Sequence, residues 1–192
     1  SGFAKVEYFF NESCTFGECN ETSWSLSSPG DAHGYVYSQL PENKIHAVIV
    51  ELTDPSLLGA LGLKNVLNSY GKPAILLFST DPEQPGRKFL ELILVYPERQ
   101  FLIKYIKEAE LSGDNLESCG SESNIKLVIL DNSEQLMSLD AIANAVETKD
   151  FYVNIWHKSA EEAIDMTIDT FYETFSKENA PCIVTPIKVW QP

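Results

Sequence analysis

Basic residues are scarce in this sequence. Its 192 residues include 14 Lys and Arg against 28 Asp and Glu, which gives a formal net charge of −14. A surface with this charge repels the phosphates of nucleic acids and of anionic membranes, so we expect no nucleic-acid partner. Basic partners and loosely held cations are compatible with the charge, although solubility alone is the commoner reason for such an acidic surface.

Long apolar runs are also missing, since none approaches the roughly 20 residues that a membrane span needs. The chain begins with Ser1-Gly2, which resembles the remnant of a cleaved tag, so a leader or lipid anchor could have been removed. We expect contact with a membrane only through such an anchor. The length predicts a single domain over residues 1–192, with closely packed subunits 1–110 and 111–192 as an alternative.

Motifs for catalysis and cofactor binding are absent. The sequence contains no G-x-S-x-G, no Gly-rich phosphate loop, no H-E-x-x-H and no C-x-x-C. Its three histidines, His33, His46 and His157, are far apart in sequence, and a structural role is the commoner one for a strand histidine such as His46. We predict no catalytic residue, no cofactor and no metal. A hydrolase with an Asp/His site assembled by the fold is the alternative.

Four cysteines are the best guide to the compartment: Cys14, Cys19, Cys119 and Cys182. Four cysteines permit three pairings, of which proximity favours Cys14–Cys19 together with Cys119–Cys182. A metal site is disfavoured, because the single C-x4-C is followed by no matching pair and by no His at ligand spacing. Reduced structural thiols are the other alternative. Disulfides form in oxidising compartments, so we predict a periplasmic, cell-envelope or secreted protein.

The architecture is best defined between Leu57 and Glu108. Apolar residues recur there at helical spacing from Leu63 to Tyr70, and Gly71 followed by Pro73 ends that helix. Gly62 is a weak point that divides the helical pattern in two. Three apolar strands follow, with a hairpin turn at Pro97 between the last two: Ala74–Ser79, Lys88–Tyr96 and Gln100–Glu108.

The remaining sequence predicts further strands and helices around this unit. Strands are expected at Phe3–Phe10, Ile45–Leu52, Ile125–Leu130 and Phe151–Trp156, helices after Ser138, Ser159 and Thr167, and loops at Asn11–Gly34 and Leu111–Ser123. The apolar tail from Pro181 should pack back on the body. The fold class is therefore α+β, mainly antiparallel sheet with a few helices packed on it; two degenerate helix–sheet units are one arrangement of these elements.

The loop predicted for Asn11–Gly34 carries features of surface recognition. Asn11 and Asn20 begin two formal glycosylation sequons, which matter only in a secreting eukaryote. Trp24, Tyr35 and Tyr37 border the Ser-rich part and could form an aromatic patch for a sugar or a protein. Core packing and loop anchoring are at least as common for such aromatics.

A helix that ends in Gly-x-Pro before a three-stranded meander resembles the repeat unit of the β-lactamase-inhibitor-protein fold. It also resembles the small accessory lipoproteins of outer-membrane barrel assembly. Here the matching residues are Leu63–Tyr70, Gly71-Lys72-Pro73 and the strands up to Glu108. More loosely, Tyr70-Gly71-Lys72-Pro73 and Leu94-Val95-Tyr96-Pro97 are similar to phrases in uncharacterised cyanobacterial and other bacterial secreted or lipid-anchored proteins.

The resemblance implies an extracytoplasmic binding module, and it carries over no functional residue. We therefore expect a non-catalytic binding or interaction module that is secreted, periplasmic or lipid-anchored. Its ligand is a protein, a small molecule or a glycan.

Overall fold

The computed structural model describes residues 3–14, 17–27, 32–39, 44–52, 59–80, 88–120, 122–131 and 157–190, with the backbone alone for 3–27 and for residues 35, 37, 39, 44, 46 and 123. The described strands are β1 (Phe3–Cys14), β2 (Gly17–Ser27), β3 (Ala32–Gln39), β4 (Lys44–Leu52), β5 (Ile75–Ser79), β6 (Lys88–Tyr96), β7 (Phe101–Ser112), β8 (Asn115–Ser118), β9 (Glu122–Leu130), β10 (Lys158–Ser159) and β11 (Ile183–Pro186). The described helices are α1 (Leu63–Tyr70), α2 (Ala160–Ile164) and α3 (Ile168–Phe175), and 3-10 turns occupy Pro97–Arg99 and Ile187–Trp190.

The protein is mostly antiparallel sheet with a few helices, which fits the predicted α+β class and also fits a mainly-β description. Hydrogen-bonded strands follow the order β1-β2-β3-β4-β9-β7-β6-β5-β10, while β8 pairs with β7 and with β11. Strand β9 comes late in the chain yet lies between β4 and β7, so both halves of the sequence build one sheet. In the part of the chain that the structure describes, no helix is long and apolar enough to span a membrane.

Helix α1 begins and ends at glycines, as predicted. Residues 59–61 are helical, but Gly62 has an extended backbone (φ −57°, ψ 149°) and separates them from α1. At the other end Gly71 has φ 80°, a left-handed conformation that favours glycine, and its N–H donates to the carbonyl of Leu67 at 2.9 Å. The predicted stripe is confirmed for Leu63, Val66 and Leu67, which are all buried, while Tyr70 at its end is 39% exposed.

The core lies between the helices and one face of the sheet. The Phe78 ring on β5 meets the Phe171 ring on α3 edge to face, with centroids 5.9 Å apart. Aromatic pairs in this arrangement stabilise a core beyond the area that they bury. Alternate residues of the central strands face the helices and form one cluster with them: Leu76, Phe78, Leu90, Leu92, Leu94, Ile103, Tyr105 and Ile125.

Two tyrosines of the sheet hold the two ends of α1. The Tyr105 hydroxyl donates to the Leu61 carbonyl at 2.9 Å, and the Tyr96 hydroxyl donates to the Gly71 carbonyl at 3.0 Å. Burial, reinforced by the negative charge of Glu122, raises the pKa of Tyr105 far above its usual value. Burial likewise raises the pKa of Tyr96. Both hydroxyls therefore stay protonated and remain hydrogen-bond donors at neutral pH.

Replacement of Tyr105 tests the contribution of this anchoring. Tyr105→Phe keeps the ring but removes the donor to the partly buried Leu61 carbonyl, so we expect the free energy of unfolding to fall by about 1–3 kcal/mol. Urea unfolding would measure the change. Tyr70→Phe is the matched control, because Tyr70 is 39% exposed. Its free energy of unfolding should stay within about 0.5 kcal/mol of the parent value. Equal losses in the two variants would contradict the anchoring role.

The predicted loop at Asn11–Gly34 is wrong. Strand β1 continues to Cys14, β2 pairs with it from Gly17 to Ser27, and β3 begins at Ala32. The residues concerned are largely Ser, Thr, Asn and Glu, which lack the apolar alternation that marks a strand in sequence. Backbone hydrogen bonds between strands do not depend on that alternation.

The predicted loop at Leu111–Ser123 is also wrong. Strand β7 runs on to Ser112, a turn with Gly113 at φ 59° follows, and β8 returns along β7. Leu116 on β8 is fully buried, and this single apolar residue in a polar segment is too small a signal to mark a strand.

The predicted features of the C-terminal segment are confirmed where the structure describes them. Ser159 and Glu162 form a capping box at α2, and Thr167 caps α3. The tail packs back on the body, because Trp190 is buried and its indole N–H donates to the Thr185 hydroxyl at 2.9 Å. The helix expected after Ser138 and the strand expected at 151–156 lie outside the described residues.

Candidate functional site

A cavity of about 390 Å³ opens beside the disulfide between Cys119 and Cys182. The disulfide joins the residue that follows β8 to the residue that precedes β11, and Ser118 pairs with Ile183 in the adjoining ladder. We call this space the disulfide cavity. It is lined by the first turn of α1, the start of β9 and the segment after α3: Leu63, Lys64, Lys107, Ser118, Cys119, Gly120, Glu122, Phe175, Lys177, Glu178, Asn179, Ala180, Pro181, Cys182 and Ile183.

The carboxylate of Glu122 forms the inner end of this cavity. Gly62 precedes α1 and supplies no side-chain cap, so the first N–H of the helix needs another acceptor. Glu122 provides it from the start of β9, with its Oε1 atom accepting the Leu63 N–H at 3.3 Å. The positive end of the helix dipole favours a carboxylate at this position. A distant strand therefore fixes the start of α1 against the cavity.

Lys107 is the buried cation of the cavity. Its side chain is only 8% exposed, and its Nζ donates to the Gly120 carbonyl at 2.6 Å. The same atom lies 3.6 Å from Oε1 of Glu122, whose side chain is 12% exposed. An ammonium group has three N–H donors, so Lys107 retains capacity for a further acceptor.

The rim of the cavity carries two more lysines. Lys64 forms an ion pair with Glu178 at 2.6 Å, and the hydrogen bond from Lys64 holds the pKa of that exposed carboxyl below its usual value. Lys177 is exposed, and among the described residues it has no ion-pair or hydrogen-bond partner. The cavity lining therefore carries three ammonium groups, those of Lys64, Lys107 and Lys177, and the carboxylates of Glu122 and Glu178. These groups give the lining one excess positive charge.

One part of the cavity wall is apolar. Leu63, Phe175 and Ile183 are each at most 5% exposed and belong to the core cluster. Ala180 and Pro181 extend this wall toward solvent. The cavity therefore combines an apolar surface with a few convergent charged groups, which is the usual composition of a small-molecule site.

The Cys119–Cys182 disulfide is present as predicted, and it is typical of a protein from an oxidising compartment. Cys14 ends β1 and Cys19 stands on β2, where Asn11 pairs with Cys19 and Cys14 with Gly17. Their side chains lie outside the described part of the chain, so the Cys14–Cys19 bridge stays a prediction.

The histidines are distributed over the whole sheet. His33 is exposed on β3 and His157 is buried just before β10, and five strands separate β3 from β10 along the hydrogen-bonded order. His46 lies on β4, and its side chain is outside the described set. Among the residues that the structure describes, no three His, Cys, Asp or Glu side chains converge into a group that could hold a metal ion.

The predicted aromatic patch and the sequons fall on the first strands. Trp24 and Asn20 lie on β2, Asn11 on β1, and Tyr35 and Tyr37 on β3. These side chains are not among those that the structure describes, so a role in sugar or protein contact stays a prediction.

A second polar cluster crosses the other face of the sheet. Glu91 pairs with Lys104 at 2.7 Å and Glu51 pairs with Lys126 at 3.2 Å, while Lys104 and Lys126 stand directly opposite each other on β7 and β9. Asn124 donates to Glu51 at 2.6 Å. Each of these two ammonium groups thus lies beside a carboxylate, and the row forms an ionic network within the sheet.

Sequence reasoning missed Lys107 and Glu122. A signal for Lys107 existed, because it follows Ile103 and Tyr105 on the same face of β7. A lysine in register with core residues needs a buried partner. No local signal identifies Glu122 as that partner.

Comparisons with known protein families, with curated proteins and with solved structures find no match for this chain. The resemblance to the β-lactamase-inhibitor-protein fold therefore stays a prediction. We therefore infer a function from the geometry of the disulfide cavity and its surroundings.

Proposed function

We propose that this protein is a non-catalytic, extracytoplasmic binding module whose ligand occupies the disulfide cavity. The observation that carries the proposal is a concave, partly apolar space whose lining includes the Cys119–Cys182 disulfide and the buried pair Lys107 and Glu122. Ligand sites are usually clefts with apolar walls and a small number of fixed polar groups. The cavity has both properties, and covalent and ionic links hold its walls in place.

The disulfide supports the compartment in this proposal. Structural disulfides persist in the periplasm, at the cell surface and in secreted proteins, where thiols are not kept reduced. The helix–Gly-x-Pro–meander resemblance points to the same compartments.

The hydrogen bonding of the cavity residues supports binding rather than catalysis. Ser118 is the hydroxyl residue of the lining, and its Oγ donates to the Glu108 carbonyl at 2.8 Å. A nucleophilic serine instead needs a base within hydrogen-bond reach. Lys107 and Glu122 pair with each other and with backbone groups, as positioning residues do. The hydrolase alternative gains no specific support from the described residues.

A fragment screen by NMR tests the proposed function. Uniformly 15N-labelled protein would be titrated with small-molecule mixtures, and amide shifts would be followed residue by residue. We expect the largest shifts at Leu63, Gly120, Glu122 and Cys182, around the disulfide cavity. Amide shifts around the exposed ring of Tyr70 would instead indicate that the ligand binds an aromatic patch. The Arg99 guanidinium lies 5.5 Å from the centroid of that ring. Binding at that patch, or no shifted amides at all, would refute a ligand in the cavity.

A further inference from the structure

From this proposed function we infer that the disulfide cavity binds a small organic anion, a carboxylate attached to a compact aromatic or short aliphatic body. The charge of the cavity is the first reason. The whole chain carries a net charge of −14, yet the cavity lining has three lysines against two glutamates. A local positive excess in an acidic protein focuses the field at that point. An anion is therefore attracted to the cavity and repelled by most of the remaining surface.

Lys107 supplies the contact that would hold the carboxylate. Its Nζ makes one short hydrogen bond, to the Gly120 carbonyl, while Glu122 lies 3.6 Å away, beyond ordinary hydrogen-bond length. Oε1 of Glu122 already accepts the Leu63 N–H. A ligand carboxylate can accept a charge-assisted bond from the remaining donor capacity of Lys107.

Lys177 provides a second cation at the entrance. It stands two residues after Phe175, at the exposed end of the segment that follows α3, and lacks an ion-pair partner among the described residues. Lys64, by contrast, is engaged by Glu178. Lys177 is therefore the cation that can turn to an entering anion without breaking an existing pair.

The apolar wall and the volume limit the rest of the ligand. Phe175, Leu63 and Ile183 add a buried apolar surface to the lining. A volume of about 390 Å³ is near the lower end of ligand pockets, which span roughly 300–1,000 Å³. The cavity can therefore hold a single ring or a short chain within its walls.

Three probes of one shape and different charge test the inference. Phenylacetate, phenylacetamide and phenethylammonium would each be titrated into the 15N-labelled full chain at constant pH and ionic strength. We expect phenylacetate to shift the amides of Gly120, Glu122 and Leu63. Phenylacetamide should bind about tenfold more weakly, as the loss of one charge-assisted hydrogen bond predicts, and phenethylammonium should leave these amides unchanged.

Two lysine variants test whether Lys177 contributes to phenylacetate binding. Lys177→Gln should weaken phenylacetate binding about three- to tenfold, since one cation leaves the entrance. Lys188→Gln is the matched control, because Lys188 is exposed and outside the cavity lining, and phenylacetate binding should not change. Both substitutions affect exposed side chains, so the fold should be retained, as the unchanged amide spectrum of the free protein would verify.

The outcomes separate this inference from the proposed function. If the amide or the ammonium probe shifts the cavity amides as strongly as phenylacetate does, the cavity binds a ligand of another charge; the anion inference is wrong and the binding function stands. If phenylacetate shifts amides elsewhere or none, or if Lys177→Gln and Lys188→Gln behave alike, the inference is overturned. The proposed binding function would be refuted only if the broader fragment screen also showed no ligand in the disulfide cavity.

Discussion

Leu67→Ala should lower the free energy of unfolding by about 2–5 kcal/mol, a large share of the stability of a typical domain. Leu67 is fully buried in the middle of the α1 stripe, in the cluster that also contains Leu94 and Ile103. Truncation removes the apolar contacts of the side chain and leaves a cavity that rigid neighbours fill only in part. Because β5, β6 and β7 pair along their whole register, these neighbours have little freedom to collapse.

Lys64→Ala on the same helix is the matched control. The Lys64 side chain is 40% exposed, and its ion pair with the exposed Glu178 contributes little in water. We expect a change within about 0.5 kcal/mol. Urea melts of the two variants would make the comparison, and an equally small loss at Leu67 and Lys64 would mean that α1 does not anchor the core.

Local patterns in the sequence were sufficient to predict the α1 and β5–β7 unit. Each feature depends on a few neighbouring residues: the spacing of Leu63, Val66 and Leu67, the helix end at Gly71 and the hairpin at Pro97. These local patterns can therefore all be recognised in a single sequence. A finer expectation from the alternation, that Leu67 packs against residues such as Ile93 or Ile103, holds for Ile103 alone. Ile103 belongs to the cluster around Leu67, but Ile93 does not, because it alternates with Leu92 and Leu94, which face the helices.

The pairing of the outer strands could not be predicted in the same way. Leu116 on β8 is buried through contacts with residues that lie far away in sequence, and the polar segment around it has no periodicity of its own. The insertion of β9 between β4 and β7 likewise depends on contacts between distant strands. Such contacts are not encoded by any local rule.

The disulfide cavity depends most strongly on contacts between residues that are distant in sequence, so it was the hardest feature to predict. Glu122 contacts the start of α1, 59 residues earlier in the chain, and the second wall comes from residues 175–183. Apart from Lys107, whose register with core residues marks it, the charged residues of the lining are ordinary in their own segments. The sequence marks Cys119 and Cys182 through their redox chemistry and not through their place beside a cavity.

Removal of the Cys119–Cys182 disulfide should have an effect as large as that of Leu67→Ala. The bridge spans 63 residues, and in the chain-entropy model a crosslink of that span stabilises the folded state by about 4 kcal/mol. The double variant Cys119→Ser with Cys182→Ser leaves the β8–β11 ladder and buried Trp190 to hold the tail by themselves. We expect that variant to stay folded but to unfold at a clearly lower urea concentration.

Reduction provides the internal control for this prediction. With excess dithiothreitol present, the parent protein and the double variant should unfold at closely similar urea concentrations, because the crosslink is then missing from both. Non-reducing peptide mapping of the parent would first verify that Cys119 is joined to Cys182. A double variant as stable as the oxidised parent would mean that β11 and Trp190 alone fix the tail. The wall formed by Pro181 and Ile183 would then need no covalent support.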